Sequence, residues 1–156
     1  MANTYKRGQN DRRPWGTWEV VDCGEGFCVK HIVVDPNGIL SLQLHHGRAE
    51  HWNIVRGTAT VTLGEEVLTK KAGESVYIPV ETKHRIQNTT SEPMEFIEVQ
   101  VGENLDENDI VRFEDKEKYW NEMVVKLFNA FDEHMDMNIH KYLNMYIKGN
   151  TSITEY

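Results

Sequence analysis

Between residues 17 and 101 the apolar positions fall into short runs, many of them alternating with polar ones. The runs are WEVVDC (18–23), FCVKHIVV (27–34), ILSLQLHH (39–46), HWNIVRG (51–57), TATVTLG (58–64), EEVLTKKAG (65–73), SVYIPV (75–80), HRIQNTT (84–90) and MEFIEVQVG (94–102). They are rich in Val, Ile, Thr and aromatic residues and are punctuated by GEG, DPNG, LGEE, KAGE, VETK and TSEP. Strand-length runs with evenly spaced turn signals predict an all-β sandwich or barrel. After Gly102 the pattern changes. ENLDENDIVRFEDKEK is acidic and reads as a covering loop. From about Asp115 to Lys148 apolar residues recur at three- and four-residue steps, Trp120, Met123, Val124, Leu127, Phe128 and Phe131 among them. That period predicts one helix or two with an apolar packing face, and Gly149 is a helix stop. The predicted organisation is an N-terminal solvated arm (1–14), a barrel (15–115), a C-terminal α-helical extension (116–148) and a tail (149–156).

The chain has 156 residues, enough for one domain with a full core and an added helix. With 25 acidic against 17 basic residues its formal charge is −8. That balance argues against a nucleic-acid partner or an anionic membrane, both of which select a basic face. No apolar run approaches the ~18 residues of a membrane span. The N-terminal stretch MANTYKRGQNDRRPWG is polar and lacks a signal-peptide core, so a cytoplasmic location is expected. Cys23 and Cys28 flank a Gly-Glu-Gly turn and read as two reduced thiols beside a hairpin.

One stretch is dense in metal-ligating side chains: SLQLHHGRAEHW, residues 41–52. Strand alternation lets Gln43 and His45 face the same way and sends His46 to the other side. Glu50 lies beyond a corner containing Gly47, so three ligand types converge if the strand turns back there. A fourth candidate comes from GESVYIPVETKHRIQN (73–88), which reads G-x5-P-x-E-x2-H-x3-N and contributes His84. Together the two stretches resemble the paired signature motifs of the cupin superfamily. The resemblance implies a double-stranded β-helix (a jelly-roll barrel) with Gln43, His45, Glu50 and His84 around one metal ion. Three positions depart from the pattern: Gln43 stands where a His is usual, the leading glycine comes one position late at Gly38, and Glu81 replaces an internal Gly. An amide oxygen, two imidazoles and a carboxylate suit Zn²⁺ or another borderline divalent ion.

Four further blocks narrow the resemblance. RPWGTWEVV (13–21), LSLQLHHGRAEHWNIVRGTATVTLG (40–64), YIPVETKHRIQN (77–88) and FIEVQVGENLDENDIVRFED (96–115) look like the type II phosphomannose isomerases. That family also occurs as the C-terminal domain of bifunctional mannose-1-phosphate guanylyltransferase/mannose-6-phosphate isomerase enzymes; no counterpart of the nucleotidyltransferase half is expected within these 156 residues, which the barrel largely uses. The resemblance implies interconversion of mannose 6-phosphate and fructose 6-phosphate through an enediol, in the supply of GDP-mannose and polysaccharide precursors. Two departures stand out: Gly47 occupies a position where a third His is common, and FED is followed by Lys116-Glu117-Lys118 rather than x-Y-G-R.

Such a reaction needs a base and a phosphate site. Lys30 is the candidate base, since it shares a strand side with Cys28, Ile32 and Val34, and apolar neighbours lower a lysine pKa; the alternative is an outward surface lysine. Arg48 is the candidate cation for catalysis and phosphate, followed by Arg112 and by Arg13 at the barrel mouth. Trp52 reads either as a cavity-lining residue or as plain core. The expected partners are a small sugar phosphate and a second copy in a homodimer. Two other readings remain beside the isomerase: a non-catalytic cupin that binds sugar phosphates or serves assembly, and a metal cupin of other chemistry, a dioxygenase or lyase.

Overall fold

The computed structural model describes residues 3–114 and 123–124. Among these, strands dominate. They are β1 (Asn10–Arg13), β2 (Gly16–Gly24), β3 (Phe27–Val34), β4 (Leu42–His45), β5 (Arg48–Arg56), β6 (Thr58–Leu63), β7 (Glu66–Lys71), β8 (Ser75–Ile78), β9 (His84–Gln87), β10 (Met94–Gly102) and β11 (Ile110–Glu114), with one 3-10 turn at Glu107–Asp109. A six-stranded sheet runs β1-β2-β3-β10-β5-β8 and a five-stranded sheet runs β11-β4-β9-β6-β7. Every strand pairing is antiparallel.

Alternation decides which side chains enter the space between the sheets. In β3 the buried residues are Cys28, Lys30, Ile32 and Val34; in β5 they are Arg48, Glu50, Trp52 and Ile54; in β10 they are Met94, Phe96, Glu98 and Gln100. Register stacks them into rungs. Phe96 lies between Ile32 and Ile54, Glu98 between Lys30 and Trp52, and Gln100 between Cys28 and Glu50. The main apolar core gathers Ile32, Val34, Trp52, Ile54, Val61, Ile86, Met94 and Phe96. A smaller cluster of Tyr5, Val20, Cys28 and Leu105 packs separately.

Consecutive strands β4 and β5 belong to different sheets, so the chain changes layer at Gly47. The backbone is crowded there. A Cβ on Gly47 would sit 2.5 Å from Asn104 Cβ, and one on Gly102 would sit 2.1 Å from Gly47 O. A second knot holds the far end of the barrel: the buried Asn88 amide donates to the carbonyls of Val34, Asp35 and Glu92 and accepts from Thr90.

Two segments differ from the sequence expectation. Part of the predicted arm is structured. Asn10–Arg13 pairs with β2, and Tyr5 is 5% exposed within the smaller cluster. The four side chains of β1 are exposed, so its order comes from backbone pairing, which composition does not reveal. The predicted covering loop contains β11, paired with β4. Its Ile-Val-Arg-Phe core is strand-forming but sits inside an acidic run. The chain divides into two compact units after Asp115. The predicted helical extension lies outside the described residues except for Met123–Val124, which are helical. No helix among the described residues is long and apolar enough to cross a membrane.

Candidate metal centre

Three ligand-bearing side chains meet inside the barrel. His45 ends β4, Glu50 comes from β5 in the opposite sheet, and His84 opens β9. One ligand atom from each lies within 4.8 Å of the others. His45 Nε2 is 3.1 Å from Glu50 Oε1, and His84 Nε2 is 3.6 Å from Glu50 Oε2. All three are at most 2% exposed.

The donor chemistry fits a cation. His84 Nδ1 donates to Thr82 O at 2.8 Å, which leaves the Nε2 lone pair facing the Glu50 carboxylate. That nitrogen has no hydrogen-bond partner. Burial pushes the His84 pKa down, with the Glu50 charge opposing, so the ring favours its neutral form. A lone pair and a carboxylate aimed at one another, away from water, are reconciled by a cation between them. Glu50 supplies the anionic side of this arrangement. Burial alone would raise its pKa. The hydrogen bond from His45, with the charges of His45, His84 and Arg48, instead holds it well below the usual carboxylate range.

Gln43 is brought to the same place, because it is the cross-strand partner of His84. Its amide is turned, however. The oxygen accepts from Ser41 Oγ at 2.9 Å, and the nitrogen lies 3.4 Å from His45 Nε2. A half-turn of the amide would present the oxygen to the cluster instead.

Arg48 faces inward, in phase with Glu50. Its side chain is 1% exposed, with Nε 3.3 Å from Glu50 Oε1, Nη1 donating to Asp106 O and Nη2 3.4 Å from His45 Nε2. Lys30 is also inward and 6% exposed, which removes the outward-lysine reading. Its ammonium reaches Tyr5 Oη at 2.6 Å and Glu107 Oε1 at 3.3 Å. Burial lowers its pKa, the Glu98 charge opposes this, and the Arg48 charge adds to it.

Trp52 is 2% exposed and packs its ring on Phe96 and His84. Its indole N–H lies 3.0 Å from both Glu50 Oε2 and Glu98 Oε2. Arg13 lies elsewhere, and Arg112 lies outside the buried cluster but on the strand next to it. Arg13 is on β1 against Asp11, and Arg112 is an exposed residue of β11 opposite Gln43. His46 and His51 are exposed, the first beside Glu81 and the second against Tyr77.

Sequence reasoning missed Glu98 and Gln100. Both are buried, with Gln100 Nε2 donating to Glu98 Oε1 at 2.7 Å. Burial, reinforced by the Glu50 charge, raises the Glu98 pKa to about 7. The available signal was the alternation Met94, Phe96, Glu98, Gln100, in which two polar residues hold the inward phase of an otherwise apolar strand.

A double-stranded β-helix with a His/Glu/His cluster inside it defines the cupin class, and solved cupins share its shape. Oxalate decarboxylase from Bacillus subtilis superposes with a TM-score of 0.61 at 23% identity, over 68% of this chain and 30% of that one. The Cnp3 cupin domain of Schizosaccharomyces pombe gives 0.56 at 12% identity, over 59% and 68%. At such identities the likeness concerns the fold alone. Sequence similarity goes further. The xanthan biosynthesis protein XanB of Xanthomonas campestris is 55% identical over 103 residues, covering 66% of this chain and 22% of that protein. The mannose-1-phosphate guanylyltransferase ManC of Salmonella typhimurium is 48% identical over 104 residues, covering 67% and 22%. The chain thus spans about a fifth of the length of the curated relatives it matches. Residues 2–115 match the family described as mannose-6-phosphate isomerase C-terminal, and the chain belongs to that family.

Proposed function

We propose that this chain is a metal-dependent aldose–ketose isomerase that interconverts mannose 6-phosphate and fructose 6-phosphate in the supply of polysaccharide precursors. The observation that carries this reading is the convergence of His45, Glu50 and His84 on one point, with the buried Arg48 against Glu50 and His45 and the buried Lys30 on the same inner face of the sheet. Family membership supplies the substrate class.

The proposed ligands are His45, Glu50 and His84, with Gln43 joining after the turn of its amide, and Zn²⁺ suits that set. Bound there, the metal would act as a Lewis acid that polarises the sugar carbonyl. The protein's own groups do the rest. Lys30, with its pKa lowered, takes the proton from C2 of the aldose, and the electron pair of that C–H bond forms the C1=C2 bond of the enediolate. The carbonyl π pair passes to O1. A proton then moves from O2 to O1, the O2 electron pair forms the new C2=O bond, and the same amine returns its proton to C1, giving the ketose. Arg48 supplies a fixed positive charge where negative charge develops on oxygen. Exposed Arg112, the cross-strand partner of Gln43, is the proposed contact for the phosphate outside the barrel; Arg13 is level with Val34, at the other end of the sheet, and is not part of this proposal.

A second reading, a non-catalytic module that binds sugar phosphates, is favoured by one feature: Lys116-Glu117-Lys118 follows Phe113-Glu114-Asp115 where the family pattern has x-Y-G-R. A coupled assay of mannose 6-phosphate turnover separates the two. The isomerase reading expects turnover that a chelator abolishes and Zn²⁺ restores. Binding of the sugar phosphate without turnover under either condition supports the module instead. Metal analysis of protein purified without added metal identifies the resident ion.

A further inference from the structure

The N-terminal segment leads to the buried lysine. Asn3 Nδ2 donates to Gly24 O at 2.7 Å and to Phe27 O at 3.2 Å, which fastens the segment over the β2–β3 hairpin. Asn3 Oδ1 accepts from Tyr5 N, and Cys23 Sγ donates to Tyr5 O. Tyr5 is thereby fixed with its ring edge-on to Trp18, 6.4 Å between centroids, and within the cluster of Val20, Cys28 and Leu105. Its hydroxyl ends 2.6 Å from Lys30 Nζ, and the amine sits 3.8 Å from the centre of its ring.

Lysine is a poor instrument unless it is held. Four rotatable bonds separate its amine from the backbone, and ordering them costs entropy. The strand alone fixes only where the Lys30 side chain starts. Among the described residues, Tyr5 and Glu107 are the two hydrogen-bond acceptors of the amine. They differ sharply in setting. The Glu107 side chain is 49% exposed, so its pull is screened by water. Tyr5 is buried, and its contact is the shorter. An ammonium carries three N–H donors. With two taken, one position on the nitrogen is left for a bound sugar: the third N–H of the ammonium, or the lone pair of the free amine that acts as base.

We propose that Tyr5 is a positioning residue of the site: its hydroxyl holds the Lys30 amine at the inner wall of the barrel, so the N-terminal segment completes the active machinery. This rests on the isomerase reading for its consequence in turnover, though the Tyr5–Lys30 pairing is testable without it.

The test is Tyr5→Phe, which keeps the ring, its packing on Trp18 and its face toward the amine, and removes only the acceptor. Other titratable groups facing Lys30 are unchanged: Glu98 on β10, Arg48 and Glu50 on β5, Glu107 on the 3-10 turn and the neutral Cys28 thiol on its own strand. An acceptor favours the ammonium, so its loss lowers the Lys30 pKa further. Nuclear magnetic resonance of lysine labelled at Nζ should show the Lys30 titration moved to lower pH. The limb of the rate profile on which activity rises with pH should move the same way. Turnover number should fall about tenfold, as expected for losing one charge-assisted hydrogen bond. Zinc content and melting temperature should match the parent, which a packing defect would not allow. An unmoved Lys30 titration overturns the proposal whatever the turnover. If the parent chain isomerises no hexose phosphate, the isomerase reading falls, and the titration still decides whether Tyr5 holds the amine.

Discussion

The inner face of the six-stranded sheet is apolar at one end and polar, mostly ionisable, at the other, and both ends are closed to water. Toward one end Val34, Met94, Ile32, Phe96 and Ile54 form successive rungs, each at most 4% exposed. Along the same three strands, two to six residues further on, stand Lys30, Glu98, Gln100, Glu50 and Arg48, each at most 6% exposed. The apolar end gains stability by removing hydrocarbon from water. The ionisable end sacrifices stability, because buried charges lose hydration that neighbours only partly replace. One frame thus carries two opposite chemistries, and the first must hold the second in place.

Substitutions at the two ends should therefore fail in different ways. The largest effect is expected from Glu50→Gln, which removes the charge between the two imidazoles. Metal content after purification should drop to background and turnover should fall more than about 100-fold, as read by elemental analysis and the coupled assay. At the apolar end, Phe96→Ala should cost about 4 kcal/mol of stability in urea unfolding. Any loss of turnover should follow the fraction unfolded rather than the metal content. Those two results reversed, with Phe96→Ala depleting metal from folded protein, would erase the distinction between the ends.

Glu98 sharpens the contrast through pH. Its folded pKa of about 7 lies above its ordinary value of 4.5, so the native state binds the proton more tightly than the unfolded chain. This group's contribution is therefore fully present below about pH 4.5 and is lost as pH rises toward 7. In metal-free protein Glu98→Gln should remove a slope worth about 3 kcal/mol across that window. Unfolding midpoints at pH 5 and pH 8 would measure it. The smallest expected effect lies outside the barrel interior. Glu81 has φ +59°, a left-handed conformation that costs a side chain about 1 kcal/mol. Its exposed pairing with His46 offsets little of that. Glu81→Gly should raise stability by about 1 kcal/mol and leave metal content unchanged.

How much of this was legible in the sequence depended on the range of the forces involved. His45, Glu50 and His84 were readable because fixed spacing within two short motifs brings them together. Lys30 was readable as one of two alternatives, because the alternation of β3 puts it in phase with Ile32 and Val34. The same alternation was available for Arg48, which is in phase with Glu50, and for Glu98 and Gln100. Tyr5 could not be read, since nothing in its neighbours says which strands a polar segment will lie across. β11 was hidden similarly: its pairing with β4 is set by a partner more than sixty residues earlier. The Glu at position 81, where the pattern has Gly, was visible, and the positive φ there gives the physical reason for the pattern's Gly.

One indole N–H, on Trp52, serves two acids. A donor shared in this way makes its acceptors compete, and anything that satisfies one frees it for the other. Capture of a cation at Glu50 would release the indole to Glu98, favour that acid's anion and expel its proton. Ion uptake by this barrel would then acidify the surrounding solution, and its affinity would climb as the medium became more alkaline.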